Sequence, residues 1–313
     1  MSKPVLFTSQ RTLERAENIK ALYEAYDGPK QFVRLGVDRR HPEIVSGKYD
    51  LMVTDEYPEQ TPGKVILLWH AIAGGKTIGL DQPGPYVQRK NMKMINYSVT
   101  SGTGVVALTA KNSDLREDQV LPLGMPRTDT YGYRRKGDGH TFLANKRAYL
   151  YAPTFRTLRE TGFPEIDWEW LDGQLKDYEV MAVKAHMCGQ SILGGKKYQH
   201  IREVSGWATS AEYLYDCDVV ITDYSSIIFD GYLLGKPSVL FEKRKGYTES
   251  RGMYFEYPGG YSSRYCTNEE DLLKIMREAK GLNDPEWEVA MKVADKCDGH
   301  ACERVCALIR SMI

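Results

Sequence analysis

Short apolar runs rich in β-forming residues alternate along this chain with segments whose apolar residues have helical spacing. PVLFTS (4–9) precedes a helix predicted over 11–26, and DVVITDY (218–224) precedes one predicted over 225–234. Apolar strands separated by helices are typical of parallel sheets covered on both faces. The alternation therefore predicts an α/β fold with parallel sheets.

The same pattern predicts further elements and a domain boundary. A basic, glycine-containing segment at 131–147 separates two alternating series, so we expect domains at 1–138 and 139–313. The last helix is a candidate for crossing back to the first domain. Thr209 and Glu212 have the spacing of a capping box at a helix start. Further strands are predicted at 31–37, 49–55, 64–70, 97–101, 119–124, 147–155, 178–186 and 237–242, and further helices at 165–177, 209–217, 268–280, 284–296 and 300–313.

Charge and hydropathy exclude several classes of protein. Forty-two Lys and Arg residues balance forty-two Asp and Glu residues, which argues against a polybasic nucleic-acid binder. No apolar run approaches the roughly 18 residues of a membrane span. The opening MSKPVLFTSQ lacks the apolar core of a signal peptide and is typical of a first strand. We therefore expect a cytoplasmic protein with no transmembrane segment.

The cysteines are scattered, and four residues near the end suggest a metal site at first sight. Cys297, His300, Cys302 and Cys306 could be zinc ligands, but the segment has helical periodicity and no CxxC pair occurs. Cys302 and Cys306 are four residues apart, and Cys is a common small core residue. The favoured interpretation is that both line one buried helix face as reduced thiols.

The segment 218–241 carries the strongest functional signal. An apolar strand ends at Thr222-Asp223, and Ser225 and Ser226 open the next helix. In an open parallel sheet, ligands bind beyond the carboxyl ends of the strands, and a helix start attracts phosphate. Two adjacent hydroxyls there indicate phosphate binding, whereas capping of the helix by either serine is the alternative.

The segment KVILLWHAIAGGKTIG (64–79) places His70 at the end of another apolar strand. An imidazole aimed at the ligand edge of a sheet suits a general base at neutral pH. A buried, satisfied histidine is the alternative. The GGKT run is not a phosphate-binding P-loop, since that motif requires glycine at position 70.

Basic and hydroxyl side chains recur at other predicted strand ends. Lys184 and His186 alternate on one face of a strand end, and Thr154 and Arg156 follow another. Arg127 lies in a similar position after a third. Arginine and hydroxyl groups of this kind bind phosphate, so the set predicts a cleft for a phosphorylated, nucleotide-linked ligand.

Several motifs, in order and covering roughly 60–310, resemble the signature of the CDP-glycerol glycerophosphotransferase family of teichoic acid synthesis. ITDYSSIIFDGYLLGKPSVLF (221–241) followed by RGMYFEYPGG is the most distinctive piece. The others are WHA (69–71) for the family's WHG, LGMPRTD (123–129) for LGxPRND, YAPTFR (151–156) for APTFR, VKAH (183–186) for KxHP, and CDGHACERV (297–305) for DDGxAxxR. The resemblance implies a GT-B-like fold, with two Rossmann-like domains facing across a cleft.

The resemblance also implies a reaction. Family members transfer glycerol phosphate from CDP-glycerol to a hydroxyl of a growing lipid-linked acceptor and release CMP. His70 would deprotonate that hydroxyl, and His186 with Lys184 would contact the donor phosphates. These three groups could neutralise the phosphate charge, and the sequence shows no Asp/His metal cluster, so we expect no obligatory metal and no cofactor.

The remaining site residues follow from the same motifs. Ser225 and Ser226 would bind the pyrophosphate, Asp230 would lie near the glycerol end of the donor, and Arg127 and Thr154 would make further donor contacts. A lipid-linked acceptor would place the enzyme at the inner face of the cell membrane as a peripheral protein.

Two departures from the family pattern keep alternatives open. Ala71 replaces the family's glycine and Met187 replaces its proline, so we expect the substrate pockets to differ from the family's. Ribitol or another polyol could replace glycerol, and the acceptor could be soluble. A GT-B glycosyltransferase that uses a nucleotide sugar and a non-catalytic nucleotide-binding relative are the alternative functions.

Overall fold

The computed structural model describes residues 3–82, 89–132, 142–154, 166–185, 191–204, 209–243 and 252–313. By its contacts the chain divides into two compact units. The first consists of Met1–Gly132 with Met291–Ile313, and the second of Tyr133–Ala290. The predicted boundary between 138 and 139 lies outside the described residues.

The first unit is built on six parallel strands with helices between them. The strands are β1 (Val5–Ser9), β2 (Lys30–Arg34), β3 (Leu51–Thr54), β4 (Lys64–Leu67), β5 (Tyr97–Thr100) and β6 (Val120–Pro122), and the helices are α1 (Glu17–Ala25), α2 (Arg89–Met92) and α3 (Val106–Ser113). The spatial order is β2-β1-β3-β4-β5-β6. The order reverses between β1 and β3, which makes their carboxyl ends the switch point where such sheets bind ligands.

Alternate residues of the strands bury the two faces of this sheet. Val5 and Phe7 point to the face covered by α1, while Leu6 points to the other face. The predicted continuous helix over 11–26 is wrong in detail: a 3-10 turn at Leu13–Arg15 precedes α1, and buried Ala16 between them is not helical. Tertiary burial at that position outweighs the high helix propensity of alanine.

The second unit repeats the architecture with a different strand order. Its strands are β7 (Arg147–Tyr151), β8 (Glu179–Lys184), β9 (Ile201–Val204), β10 (Val219–Thr222), β11 (Ser238–Phe241) and β12 (Tyr265–Cys266), and its helices begin with α4 (Trp168–Gln174), α5 (Ser210–Asp216), α6 (Ile227–Leu233) and α7 (Glu269–Glu278). All neighbouring strands are parallel, in the order β12-β11-β10-β7-β8-β9. Numbered within the unit this is 3-2-1-4-5-6, the Rossmann order, with the switch point between β7 and β10.

The strands of the second unit bury both faces, as their apolar sequences predict. Tyr149 and Val219 belong to the core on one face, and Leu150 and Val220 belong to the core on the other. Strands buried on both sides read as continuous apolar runs. This is why DVVITDY was recognisable in the sequence.

Two helices end the chain, α8 (Asp284–Ala294) and α9 (Ala301–Met312), and α9 packs in the core of the first unit. Asp129 accepts hydrogen bonds from the amides of Ala301 and Cys302 at 3.0 and 2.7 Å. Arg304 donates to the Leu123 carbonyl at 2.8 Å. The motifs LGMPRTD and CDGHACERV therefore contact each other, and part of their role is to hold α9 at its N-terminus, where a carboxylate stabilises the free amides.

Two local predictions meet a different outcome in the structure. Thr209 precedes α5, but its side chain makes no capping hydrogen bond, so the predicted capping box is wrong. Cys306 is buried as predicted, whereas Cys302 is only half-buried.

In the described part of the chain, the helices are all too short or too polar to cross a membrane.

Candidate functional site

Polar side chains of the first unit gather where neighbouring strands end. Ser9 ends β1, Asp55 and Glu56 follow β3, and His70 follows β4. Ser9 donates to Asp55 at 3.1 Å, and His70 Nδ1 lies 3.9 Å from Glu56 Oε1. The carboxyl ends of parallel strands meet at one edge, so residues far apart in sequence form one polar cluster there.

The backbone turns sharply as β4 gives way to His70. Trp69 has a φ of 52°, in the left-handed region that bulky residues rarely adopt. Its ring contacts those of Tyr57 and His70, with ring centroids 4.9 and 4.1 Å away. The His70 side chain stays 30% exposed. It is therefore held against an aromatic stack and still reaches solvent, as a base must.

The first unit also contains Arg127, a predicted donor-binding residue. Its side chain is buried, and Nη1 donates to the His70 carbonyl at 3.0 Å. At least part of the guanidinium is thus engaged in the structure of the His70 loop. Its predicted contact with the donor stays a prediction.

Asp55 and Glu56 form a buried pair of carboxyl groups behind His70. Burial raises the pKa of Asp55 to about 6, although the guanidinium of Arg11 opposes the shift. Burial, and then the charge of Asp55, raises the pKa of Glu56 to about 7. Two adjacent carboxyl groups with raised pKa values titrate as a pair, so the cluster binds a proton near neutral pH.

This pair predicts a pH-dependent stability. A carboxyl whose folded pKa exceeds its unfolded value stabilises the fold below the unfolded pKa, here 4.5, and loses that contribution as pH rises through about 7. In the unmodified protein the free energy of unfolding should fall as the pH rises from about 5 to about 8. We expect this fall to be smaller in Glu56→Gln, by an amount on the order of 2 kcal/mol. Urea titrations measure it. Glu24→Gln, at an exposed residue, is the control, and an unchanged slope in Glu56→Gln would contradict the assignment.

The switch point of the second unit places a buried hydroxyl beside a buried carboxylate. Thr154 follows β7 and Asp223 follows the adjacent strand β10, and Asp223 Oδ1 accepts from the Thr154 amide at 2.7 Å. Thr154 is 2% exposed, and its Oγ1 has no hydrogen-bond partner among the described residues. Buried polar groups are nearly always paired, so an orphan at a switch point indicates a place for a ligand or water atom.

The two serines of this unit lie where the sequence predicts, at the start of α6. Ser226 is the N-cap residue but makes no side-chain capping bond, and Ser225 accepts only a long bond, 3.4 Å, from the Ile227 amide. Both are partly exposed. Simple capping therefore does not account for Ser226, and it accounts weakly for Ser225.

The remaining predicted residues are divided between described and undescribed parts of the chain. Lys184 ends β8, next to β7, and is buried; Asp230 is buried on α6. Arg156 and His186 lie outside the described residues. Three neighbouring strands, β7, β8 and β10, thus place Thr154, Lys184 and the two serines at or just after their carboxyl ends, at one edge of the second sheet.

Four residues of these clusters were not predicted from the sequence. Glu56 and Asp55 had a usable signal, because two acidic residues directly after an apolar strand lie at the ligand edge of a parallel sheet. Asp223 had the same signal in ITDYSS. Asn18, which contacts the His70 turn, had none beyond an amide within a helical pattern.

Known proteins that resemble this chain in sequence share one family. The model of the CDP-glycerol:poly(glycerophosphate) glycerophosphotransferase family matches residues 43–311. A teichoic acid poly(ribitol-phosphate) polymerase of Bacillus spizizenii is 26% identical, over 97% of this chain and 55% of its own length. A teichoic acid glycerol-phosphate primase of Bacillus subtilis is also 26% identical, over 86% of this chain and 74% of its own. The chain thus spans about half the length of that polymerase.

A solved structure shows the same fold. The wall teichoic acid polymerase TagF aligns with a TM-score of 0.75 at 17% identity, covering 99% of this chain and 89% of that chain. The likeness confirms the predicted GT-B-like class, with two Rossmann-like units built on parallel sheets.

Proposed function

The chain belongs to the CDP-glycerol:poly(glycerophosphate) glycerophosphotransferase family, and from that premise we propose that it transfers a polyol phosphate to an acceptor hydroxyl. The donor is CDP-glycerol or a related CDP-polyol, and CMP is released. The product belongs to teichoic acid or a related cell-surface polymer. A lipid-linked acceptor would bring the enzyme to the cytoplasmic face of the membrane.

In the proposed step one bond to phosphorus forms, another breaks, and one proton moves. The acceptor oxygen bonds to the phosphorus that carries the polyol, the bond from this phosphorus to the CMP oxygen breaks, and the acceptor proton passes to the His70 imidazole. Phosphoryl transfer needs mainly positioning and charge stabilisation. His70, in the first unit, supplies the base.

The second unit binds the donor in this proposal. Two observations carry the assignment: the Rossmann order of the strands, and the buried hydroxyl of Thr154 at the switch point, which has no hydrogen-bond partner within the described ranges. Lys184 supplies positive charge at the neighbouring strand end. Ser225 and Ser226 donate hydrogen bonds to the phosphate oxygens. His186 and Arg156 add positive charge, and Asp230 contacts the polyol.

The proposal is tested first by ligand-induced stabilisation. Thermal unfolding is measured with CDP-glycerol, CDP-ribitol, CMP, UDP-N-acetylglucosamine and UDP. A ligand at 100 times its Kd stabilises the fold by about 2.7 kcal/mol, which is measurable. We expect the cytidine compounds to raise the unfolding temperature. The CDP-polyol that gives the larger increase is identified as the donor. An increase with the uridine compounds alone would favour the glycosyltransferase alternative. No increase with any of the compounds would overturn the donor-site assignment.

The two serines provide a second test. Ser225→Ala together with Ser226→Ala should raise the Kd for the CDP-polyol by about tenfold or more, because hydrogen bonds to charged oxygens are stronger than neutral ones. Isothermal titration calorimetry measures it. Ser263→Ala, at an exposed serine of the same unit, is the control. An affinity within about twofold of the unmodified protein would show that the serines do not bind phosphate.

A further inference from the structure

The turn that carries His70 adopts a backbone conformation that its own residues do not favour. Trp69, with its large indole ring, has a φ of 52°. Left-handed conformations of such residues persist only when the surroundings impose them, and they concentrate at functional sites. The contacts that hold Trp69 in this conformation therefore bear on the direction in which the His70 side chain points.

A buried amide on α1 contacts the turn directly. Asn18 Nδ2 donates to the Trp69 carbonyl at 3.0 Å, and Asn18 Oδ1 accepts from the Arg127 amide at 3.1 Å. The side chain is 3% exposed. Both ends of the amide are thus used, and they join α1, the turn after β4 and the segment after β6.

Arg127 completes the arrangement from the other side. Its Nη1 donates to the His70 carbonyl at 3.0 Å, while its own amide is bound by Asn18. Two successive carbonyls, those of Trp69 and His70, are therefore held by the side chains of Asn18 and Arg127, and the Asn18 side chain also binds the backbone amide of Arg127. A closed set of hydrogen bonds of this kind fixes a backbone direction more firmly than any one bond alone.

We propose that Asn18 is a positioning residue for His70. It holds Trp69 in the left-handed conformation and so directs the His70 imidazole, which stays 30% exposed beside Glu56 at 3.9 Å. The catalytic part of this inference rests on the proposed role of His70 as the base. Asn18 acts through the backbone and does not touch the substrate.

The positioning role predicts a specific kinetic defect. Without Asn18 the turn relaxes toward ordinary dihedral angles and the imidazole loses its alignment, while the donor-binding residues of the second unit are untouched. Misalignment of a reacting group lowers kcat more than it changes KM. We expect Asn18→Ala to lower kcat by about 10- to 100-fold with KM within about twofold.

A matched pair of variants separates positioning from stability. Asn91→Ala removes a comparably buried amide of the same unit, whose Nδ2 donates to the Pro58 carbonyl at 2.8 Å. Asn18→Asp keeps the shape of Asn18 but replaces the donor to the Trp69 carbonyl with an oxygen. We expect Asn18→Asp to match Asn18→Ala in kcat, and Asn91→Ala to keep the unmodified kcat.

A readout that needs no activity completes the test. The His70 ring is followed by ¹H–¹³C NMR across a pH titration, its signal assigned from its loss in His70→Gln. Asn18→Ala should change its chemical shift, and Asn91→Ala should not. An unchanged His70 signal in Asn18→Ala overturns the inference, whatever the activity.

The two readouts also separate this inference from the proposed function. A changed His70 signal in a protein that turns over no CDP-polyol upholds the role of Asn18 in the turn and overturns the proposed reaction. A normal kcat in Asn18→Ala, in a protein that is active, overturns the positioning role.

Discussion

His70→Ala is expected to lower kcat for polyol-phosphate transfer by about 10²- to 10⁴-fold, the range that a positioned general base contributes. The affinity for the CDP-polyol should stay within about twofold, because the proposed donor contacts other than Arg127 lie in the second unit, and His70→Ala keeps the backbone carbonyl that Arg127 binds. A rate assay of CMP release and calorimetry with the donor measure the two quantities. This combination of a large kcat loss with intact donor binding is what distinguishes a base from a binding residue.

The control for this prediction is another histidine of the same unit. His41 is half-buried, and its Nδ1 accepts from the Glu43 amide at 3.2 Å in a local turn. His41→Ala should leave kcat unchanged. Turnover by His70→Ala at the unmodified rate would remove His70 from the mechanism, and a parallel loss of donor affinity would move it to the donor site.

Thr154→Val is expected to change stability and donor binding in opposite directions. Among the described residues the Thr154 hydroxyl has no partner, so replacing it with a methyl group removes an unsatisfied buried polar atom. Such a change stabilises the fold by about 1 kcal/mol or more. The same change removes a hydrogen bond to a charged phosphate oxygen, so we expect the Kd for the donor to rise by about tenfold.

A neighbouring threonine makes the control. Thr222, at the end of the adjacent strand β10, is equally buried, and its hydroxyl donates to the Ala152 carbonyl at 2.6 Å. Thr222→Val should therefore lower the free energy of unfolding, since it leaves that carbonyl without its partner. Urea titrations compare the two variants. Equal destabilisation by both would show that the Thr154 hydroxyl is already satisfied and is not held for a ligand.

Much of the fold followed from local patterns in the sequence. The runs 4–9 and 218–224 proved to contain β1 and β10, because strands buried on both faces must be apolar throughout. Strands β9 and β12 and helices α2 and α3 were not predicted. β12 has only two residues and β9 contains Arg202 and Glu203, so neither carries a clear apolar pattern.

The candidate site was predictable only as far as strand ends could be recognised. His70, Thr154, Lys184 and the two serines follow apolar runs, and the structure places each at a strand or helix end. The raised pKa of Glu56 could not be foreseen, because it arises from burial beside Asp55. The same holds for Asn18, whose two contacts are 51 and 109 residues away in sequence.

The amino-acid sequence by itself determined the α/β class, the strand ends that carry polar residues, and the family, since each depends on short segments whose order along the chain is visible. The tertiary structure alone decided the strand order of each sheet, and therefore that β7 and β10 adjoin and that Thr154 lies beside Asp223. It also decided the left-handed conformation of Trp69 and the contacts that hold it. The physical reason is the same in each case: these features depend on burial and hydrogen bonds between segments that are distant in sequence, which no local pattern encodes.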